Sequence, residues 1–183
     1  MEFQKFPKIA RYSRDCVITE KIDGTNAQIC ITEEGEFLTG SRTRWIVPGD
    51  DNYGFSKWAH ENKEELVKLG VGNHFGEWWG QGIQRKYGMD KKVFSLFNVH
   101  RWGDDEIRPK CCSVVPTLYS GMFVEDEIYT ALEHLEVNGS YASKGFMKPE
   151  GIVIFHTSQG YLFKKTIVGD EKPKSSNEPK KTM

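Results

Sequence analysis

A lysine at the end of an apolar stretch, directly before a turn, is a candidate nucleophile. Lys21 is so placed in the segment Glu20, Lys21, Ile22, Asp23, Gly24, Thr25, Asn26. An ordinary lysine has a pKa near 10.4 and is almost wholly protonated at neutral pH, so an attacking amine must be partly desolvated or set near other cations. The end of a buried strand beside a glycine turn offers such a place, because backbone can approach a ligand closely there. Asp23, two residues on, falls on the side of Lys21 if the strand continues, and is a candidate to orient the amine. The K-x-D-G pattern by itself fits a surface Lys–Asp turn equally well.

Three more segments carry chemistry-bearing residues. HFGEWWGQGIQ, residues 74–84, sets Glu77 inside an aromatic, glycine-rich strand end, where a carboxylate can accept hydrogen bonds from a ribose hydroxyl. Trp78 and Trp79 suit a core better than a ligand stack. In KPEGIVIF, Glu150 opens a very apolar strand; a carboxylate there binds metal or pairs with a cation, since burial without a partner is expensive. In YLFKKTI, residues 161–167, alternation puts Tyr161, Phe163 and Ile167 on one face and Lys164 with Thr166 on the other. Lys164 is thus the better ligand contact and Lys165 the odd member, although a solvated edge strand is also often rich in lysine.

The elements that must position these groups read as strands at 16–20 and 26–31, joined by the turn 22–25, with a further strand at 36–40 pairing back across 33–35. Residues 45–53 are turn-rich. Residues 53–69 read as one amphipathic helix with Phe55, Trp58, Ala59, Leu66 and Leu69 at helical spacing and Gly70 as its stop. Strands are expected at 73–78 and 93–99, a helix at 125–137 ending at Asn138 and Gly139, and a closing hairpin at 151–156 and 161–167. Strands alternating irregularly with two helices argue an α+β fold with a mostly antiparallel sheet. The chain shows no internal repeat. Residues 1–169 read as one domain, and 170–183, rich in Lys, Pro and Ser, as a disordered tail.

Composition bounds the function. The chain has 183 residues, with 25 basic and 26 acidic side chains for a net charge of −1, so a nucleic-acid partner would have to be held by a local patch rather than a global field. Cys16, Cys30, Cys111 and Cys112 form no C-x-x-C pair and suit free thiols in a reducing cytosol. The N-terminus has no apolar signal core and no stretch is long enough to cross a bilayer, which points to a soluble, cytoplasmic protein with no membrane partner.

Taken in order, these segments resemble the covalent nucleotidyltransferases, the superfamily of polynucleotide ligases and mRNA capping enzymes. The likeness is strongest to phage-type RNA ligases that seal nicks in RNA duplexes. TEKIDGTN (19–26) resembles the motif holding the adenylylated lysine, SRTR (41–44) the next, FGEWWGQGIQ (75–84) the third in its RNA-ligase form. VFSLFNV (93–99) resembles the strand whose aromatic stacks on adenine; PEGIVIF and LFKKT resemble the fourth and fifth motifs. The motifs run from Thr19 to Thr166, so the resemblance covers nearly all of the folded chain. It implies an adenylation domain of antiparallel sheets flanked by helices, with ATP as AMP donor, Mg²⁺ or Mn²⁺, and RNA with 5′-phosphate and 3′-hydroxyl ends as partner.

The roles it implies are Lys21 as nucleophile, Asp23 as its orienting partner, and Glu150 supporting a hydrated metal ion or the Lys21 ammonium. Lys164 would contact the α-phosphate, Glu77 hold the ribose, Phe97 stack on adenine, and Arg42 meet the ribose or the 5′-phosphate end. Thr19 and Glu20 would lie beside the adenine edge, with Asn26 and Lys165 as further nucleotide contacts. Three departures stand out. The fifth-motif lysines are adjacent rather than two apart, and Asn98 stands where an acidic residue is frequent. No C-terminal accessory domain follows, so grip on RNA would need an accessory protein or domain beside a monomeric catalytic unit. The resemblance leaves a DNA ligase adenylation domain, a capping enzyme or a non-catalytic nucleotide- or RNA-binding relative as alternatives.

Overall fold

The computed structural model describes residues 1–9 and 11–170, so the tail read at 170–183 lies, from residue 171 on, outside the described residues. The strands are β1 (Asp15–Lys21), β2 (Thr25–Ile31), β3 (Phe37–Gly40), β4 (Trp45–Ile46), β5 (Gly72–Gly80), β6 (Lys92–Leu96), β7 (Cys112–Val114), β8 (Thr117–Met122), β9 (Gly151–His156) and β10 (Tyr161–Thr166). The helices are α1 (Phe55–Glu61), α2 (Lys63–Leu66), α3 (Val99–Trp102) and α4 (Glu125–Asn138), with a 3-10 turn at Val67–Leu69.

Two sheets result. One has the order β10-β9-β1-β8 and is antiparallel throughout; the other has the order β4-β3-β2-β5-β6-β7 and is antiparallel except for the parallel β6–β7 pair. This is the mixed, mostly antiparallel α+β architecture that the sequence pattern argues. Period-two alternation explains both cores. Cys16 and Ile18 of β1 and Ile152 and Ile154 of β9 point to one side and pack on Ala131, Leu132 and Leu135 of α4. In the second sheet Ala27, Ile29 and Ile31 of β2, Trp78 of β5, and Phe94 and Leu96 of β6 pack on Phe55, Ala59, Leu66 and Leu69. A small third cluster of Ile22, Trp79, Tyr87 and Val115 lies at the crossing from β1 to β2.

Several elements differ from the sequence expectation. The strands β1 and β2, joined by 22–25, do not pair; the turn carries the chain from one sheet into the other. The helix read at 53–69 is broken at Asn62, whose side-chain amide donates to the Trp58 carbonyl at 2.8 Å in competition with the helical backbone, although Phe55, Ala59, Leu66 and Leu69 all stay buried. The strand read at 93–99 stops at Leu96, because Asn98 caps α3 by accepting the Arg101 N–H at 3.0 Å. The side-chain oxygen of Asn98 is thereby committed to the helix end. Strand β7 and the edge strand β8, exposed or half-exposed along its length, carry no clean alternation and were not legible in the sequence.

The register makes a direct prediction. Ile18 is 0% exposed and faces α4, whereas its neighbour Val17 is half-buried and faces the opposite side. Ile18→Ala should lower unfolding stability by about 3 kcal/mol in a urea titration, and Val17→Ala by less than half as much. Equal losses would contradict this register.

Candidate active site

The open face of the first sheet is the face opposite α4. Cross-strand partners share a face, so the register puts Lys21, Gly151 and Thr166 in one row of that face and Thr19, Val153 and Lys164 in the next. Lys21 ends β1 and lies opposite Gly151, so the residue just before Gly151 stands beside it: the Lys21 Nζ to Glu150 Oε2 distance is 2.6 Å. The Lys21 side chain is 21% exposed and that of Glu150 1%. Burial of either charge alone would be unfavourable by several kcal/mol, so each requires the other. Lys164 is exposed. Two strand spacings and two residues separate its backbone from that of Lys21, roughly 12 Å, a gap that two long cationic side chains can bridge around an anion.

The second sheet supplies the opposite wall. In the row Asn26–Glu77–Ser95, Glu77 accepts the Gly24 N–H at 2.9 Å and the Asn26 amide at 3.2 Å. This joins β5 to the turn that follows Lys21. Gly24 permits the approach: a Cβ there would lie 2.5 Å from the Trp78 carbonyl oxygen and 2.7 Å from Trp79 Cβ. Phe97, one residue past β6, continues the face of Glu77 and Ser95, and its N–H bonds to the Phe75 carbonyl. Both rings are open, Phe75 54% and Phe97 41% exposed. Thr19 is buried on Lys21's face. Arg42 is exposed in the loop after β3, which leaves from the Gly40–Gln28 pair toward the level of Asn26.

Three residues read from sequence are used otherwise. Glu20 lies on the opposite face of β1, 1% exposed, and its carboxylate accepts Ser140 Oγ at 2.6 Å and the Tyr141 and Ala142 N–H groups at 2.8 and 2.9 Å; it fastens a loop behind the pocket rather than lining it. Lys165 faces α4, over the Tyr129 ring at 5.5 Å and 3.5 Å from Asp170, because the two adjacent lysines must point to opposite faces. Asp23 accepts Arg85 Nε at 2.9 Å, and the carboxylate on the Lys21 amine is that of Glu150.

Arg85 and Tyr87 lie just past the motif that ends at Gln84 and are not marked by it. Arg85 also donates to the Lys148 carbonyl at 2.9 Å and the Pro149 carbonyl at 3.3 Å, so one guanidinium ties the Asp23 turn to the segment that delivers Glu150. Tyr87, 0% exposed, accepts the Asp23 N–H at 2.9 Å, and burial pushes its phenol up. The loop holds Gln84, Lys86 and Tyr87 at φ 42, 61 and 50°, a concentration of left-handed non-glycine residues that persists only where surrounding contacts enforce it. The cue in sequence was the run Gly80, Gly82 and Gly88 around an arginine and a tyrosine.

Among the described residues no group of three or more His, Cys, Asp or Glu side chains could hold a metal ion, all four cysteines are free, and no helix is long and apolar enough to cross a membrane. The RNA ligase family model matches residues 14–166. A Naegleria gruberi RNA ligase variant with ATP and Mn aligns with TM-score 0.64 and 19% identity over 85% of this chain and 50% of its own. A second variant with AMP and Mn gives TM-score 0.64 at 18% identity over the same shares. The Naegleria gruberi RNA ligase with PPi gives 0.58 at 19% over 84% and 49%. At such identity these likenesses speak for the fold, and the chain spans about half the length of those proteins. No curated protein matches the chain.

The electrostatics of Glu77 can be tested independently of any reaction. Burial pushes its carboxyl up to about 7, against the pull of the Lys21 charge and the Gly24 N–H, with Glu150 and Asp23 adding to the rise. Between the ordinary value of 4.5 and about 7 the folded protein therefore binds more protons here than the unfolded chain, and Glu77's contribution to stability falls as pH rises through that window. The melting temperature of Glu77→Gln relative to the native protein should rise from pH 5 to pH 8. A constant difference would show that Glu77 titrates normally.

Proposed function

This chain belongs to the RNA ligase family, and from that premise we propose that it joins RNA ends with ATP, carrying AMP on Lys21. The observation that carries the proposal is the 2.6 Å pair of the Lys21 amine with the buried Glu150, between walls bearing Glu77, Phe97 and Lys164. The pair sets the direction of the amine, and a carboxylate at hydrogen-bond distance is suited to take the proton that the amine must lose.

In the first step the Lys21 nitrogen bonds to the α-phosphorus of ATP. The bond from that phosphorus to the oxygen bridging to the β-phosphate breaks, and pyrophosphate leaves with the electron pair. An oxygen of an RNA 5′-phosphate then attacks the same phosphorus; the P–N bond breaks, Lys21 recovers its proton, and the RNA end carries AMP. Finally a 3′-hydroxyl attacks the 5′-phosphorus, forming the phosphodiester and expelling AMP. This chain's residues would act mainly by alignment and charge. Lys21 and Lys164 face the phosphates, Glu77 and Asn26 the ribose, Phe97 the base, with Thr19 on the pocket floor and Arg42 toward the RNA end. Asp23, held by Arg85, fixes the turn behind the amine.

A divalent ion fits this donor set only as a largely hydrated species, with Glu150 as its carboxylate and nucleotide phosphates completing its shell, as suits Mg²⁺. When bound it would neutralise phosphate charge.

Incubation with α-labelled ATP and Mg²⁺, followed by denaturing electrophoresis, tests the proposal. Lys21→Ala should give no labelled protein. Glu150→Gln should reduce the rate of labelling about a hundredfold or more, the range for loss of a positioned proton acceptor, and Lys164→Ala should raise the ATP concentration needed. Labelled protein should pass its AMP to a 5′-phosphorylated RNA, and RNA rather than DNA on the 3′-hydroxyl side should favour sealing. Equal labelling of Lys21→Ala and the native protein would remove Lys21 from its role.

A further inference from the structure

At the scale of three residues the N-terminal segment does repeat. Phe3-Gln4-Lys5, Phe6-Pro7-Lys8, Ile9-Ala10-Arg11 and Tyr12-Ser13-Arg14 each read apolar, spacer, cation. Phe3, Phe6, Ile9 and Tyr12 are 92, 76, 78 and 65% exposed, and Lys5, Lys8, Arg11 and Arg14 are exposed as well. None of these four cations has an ion-pair partner among the described residues. Four cations and one acid give residues 1–14 a charge of +3, which leaves −4 for the rest of a chain whose net is −1. The segment is thus net positive while the rest of the chain is net negative.

The period decides what such a segment suits. On an α-helix, positions three apart drift by about 60°, so the apolar stripe would wind halfway round the helix in four triplets. Pro7 and the absence of helix over residues 1–9 argue the same way. A chain with three residues per turn, as in polyproline II, keeps the apolar groups on one edge and the cations on another. Rings that can stack on bases, running beside cations that can meet phosphates, are the combination by which single strands are gripped without regard to sequence. An amphipathic helix lying on a membrane would need a period near 3.6 instead.

The segment is anchored to the site's own sheet. The Phe123 N–H donates to the Arg14 carbonyl at 2.7 Å, the Tyr12 ring stands edge-on to Phe123 at 5.0 Å, and His156 Nε2 lies 3.1 Å from the Tyr12 carbonyl. From Cys16, opposite His156, β1 runs five residues to Lys21, roughly 17 Å of strand, or about five nucleotide rises along a strand.

We propose that residues 3–14 form a binding strip for single-stranded RNA, engaging nucleotides about five or more positions from the end being joined. The identity of the polymer rests on the reading of the chain as an RNA-joining enzyme; the strip itself rests on the triplet pattern and its exposure.

The test measures fluorescence anisotropy of a 3′-labelled, 5′-phosphorylated 20-nucleotide RNA from 50 to 300 mM KCl. Replacing Lys5, Lys8, Arg11 and Arg14 by Ala should reduce the slope of log affinity against log salt by about 2.8, near 0.7 per cation. The double variant Phe3→Ala/Phe6→Ala should keep the native slope and bind about tenfold or more weakly at every salt. Replacing all four cations by the other basic residue should restore the slope. Covalent labelling by α-labelled ATP should match the native protein in all three variants, because the strip is remote from Lys21. Native slope and affinity in the alanine variants would overturn the strip. So would binding of the native segment to phosphatidylserine vesicles with no effect of the substitutions on RNA. Failure of the native protein to label with ATP would instead overturn the proposed reaction, and the salt slope would still decide the strip.

Discussion

The site depends on one electrostatic constraint: an amine and a carboxylate held 2.6 Å apart, with the carboxylate cut off from water. Neither charge could be buried there alone. Their meeting is set by strand register, since β1 and β9 pair so that Lys21 faces Gly151 and Glu150 follows at the strand's mouth. Much of the neighbouring polar structure preserves that meeting. Arg85 binds the carbonyls of Lys148 and Pro149 and the Asp23 carboxylate, so the approach to Glu150 and the exit from Lys21 are held by one planar group. Glu20 secures the 140–142 loop from behind, and Glu77 closes the front of the turn through Gly24 and Asn26. Each carboxylate bordering the turn thus has hydrogen-bond donors matched to it, as a region of low dielectric requires.

Elements whose side chains alternate cleanly were legible in the sequence. Strand β1, with Cys16, Ile18 and Glu20 on one side and Val17, Thr19 and Lys21 on the other, is read directly, and so are β2, β5 and the β9–β10 hairpin. The choice of Lys164 over Lys165 followed from the same alternation, and the register places Lys164 on the face of Lys21. Edge strand β8 could not be read, because neither of its faces is fully buried and no period is imposed on it. The break at Asn62 depends on a side chain competing for one carbonyl, a local choice that helical spacing of apolar residues does not encode.

Within the site the limit was different in kind. Residue types and order pointed to Lys21, Glu77 and Glu150, which the fold brings to one cleft. What the sequence could not give was allegiance: which carboxylate meets which cation. Asp23 is only two residues from Lys21 in sequence, yet it binds Arg85, 62 residues away, while Lys21 binds Glu150, 129 residues away. Glu20 is adjacent to Lys21 in the chain and faces away from it, for the elementary reason that neighbours on a strand point to opposite sides.

The crossing at residues 22–24 joins the two sheets immediately beside Lys21. A change in the angle between the sheets about this crossing would therefore leave Lys21 almost stationary, as a point near a pivot. Groups farther along the walls, such as Phe97 on one sheet and Lys164 on the other, would swing through longer arcs. Were the sheets to turn about this crossing, the opening between Phe97 and Lys164 would change more than the surroundings of the Lys21 amine.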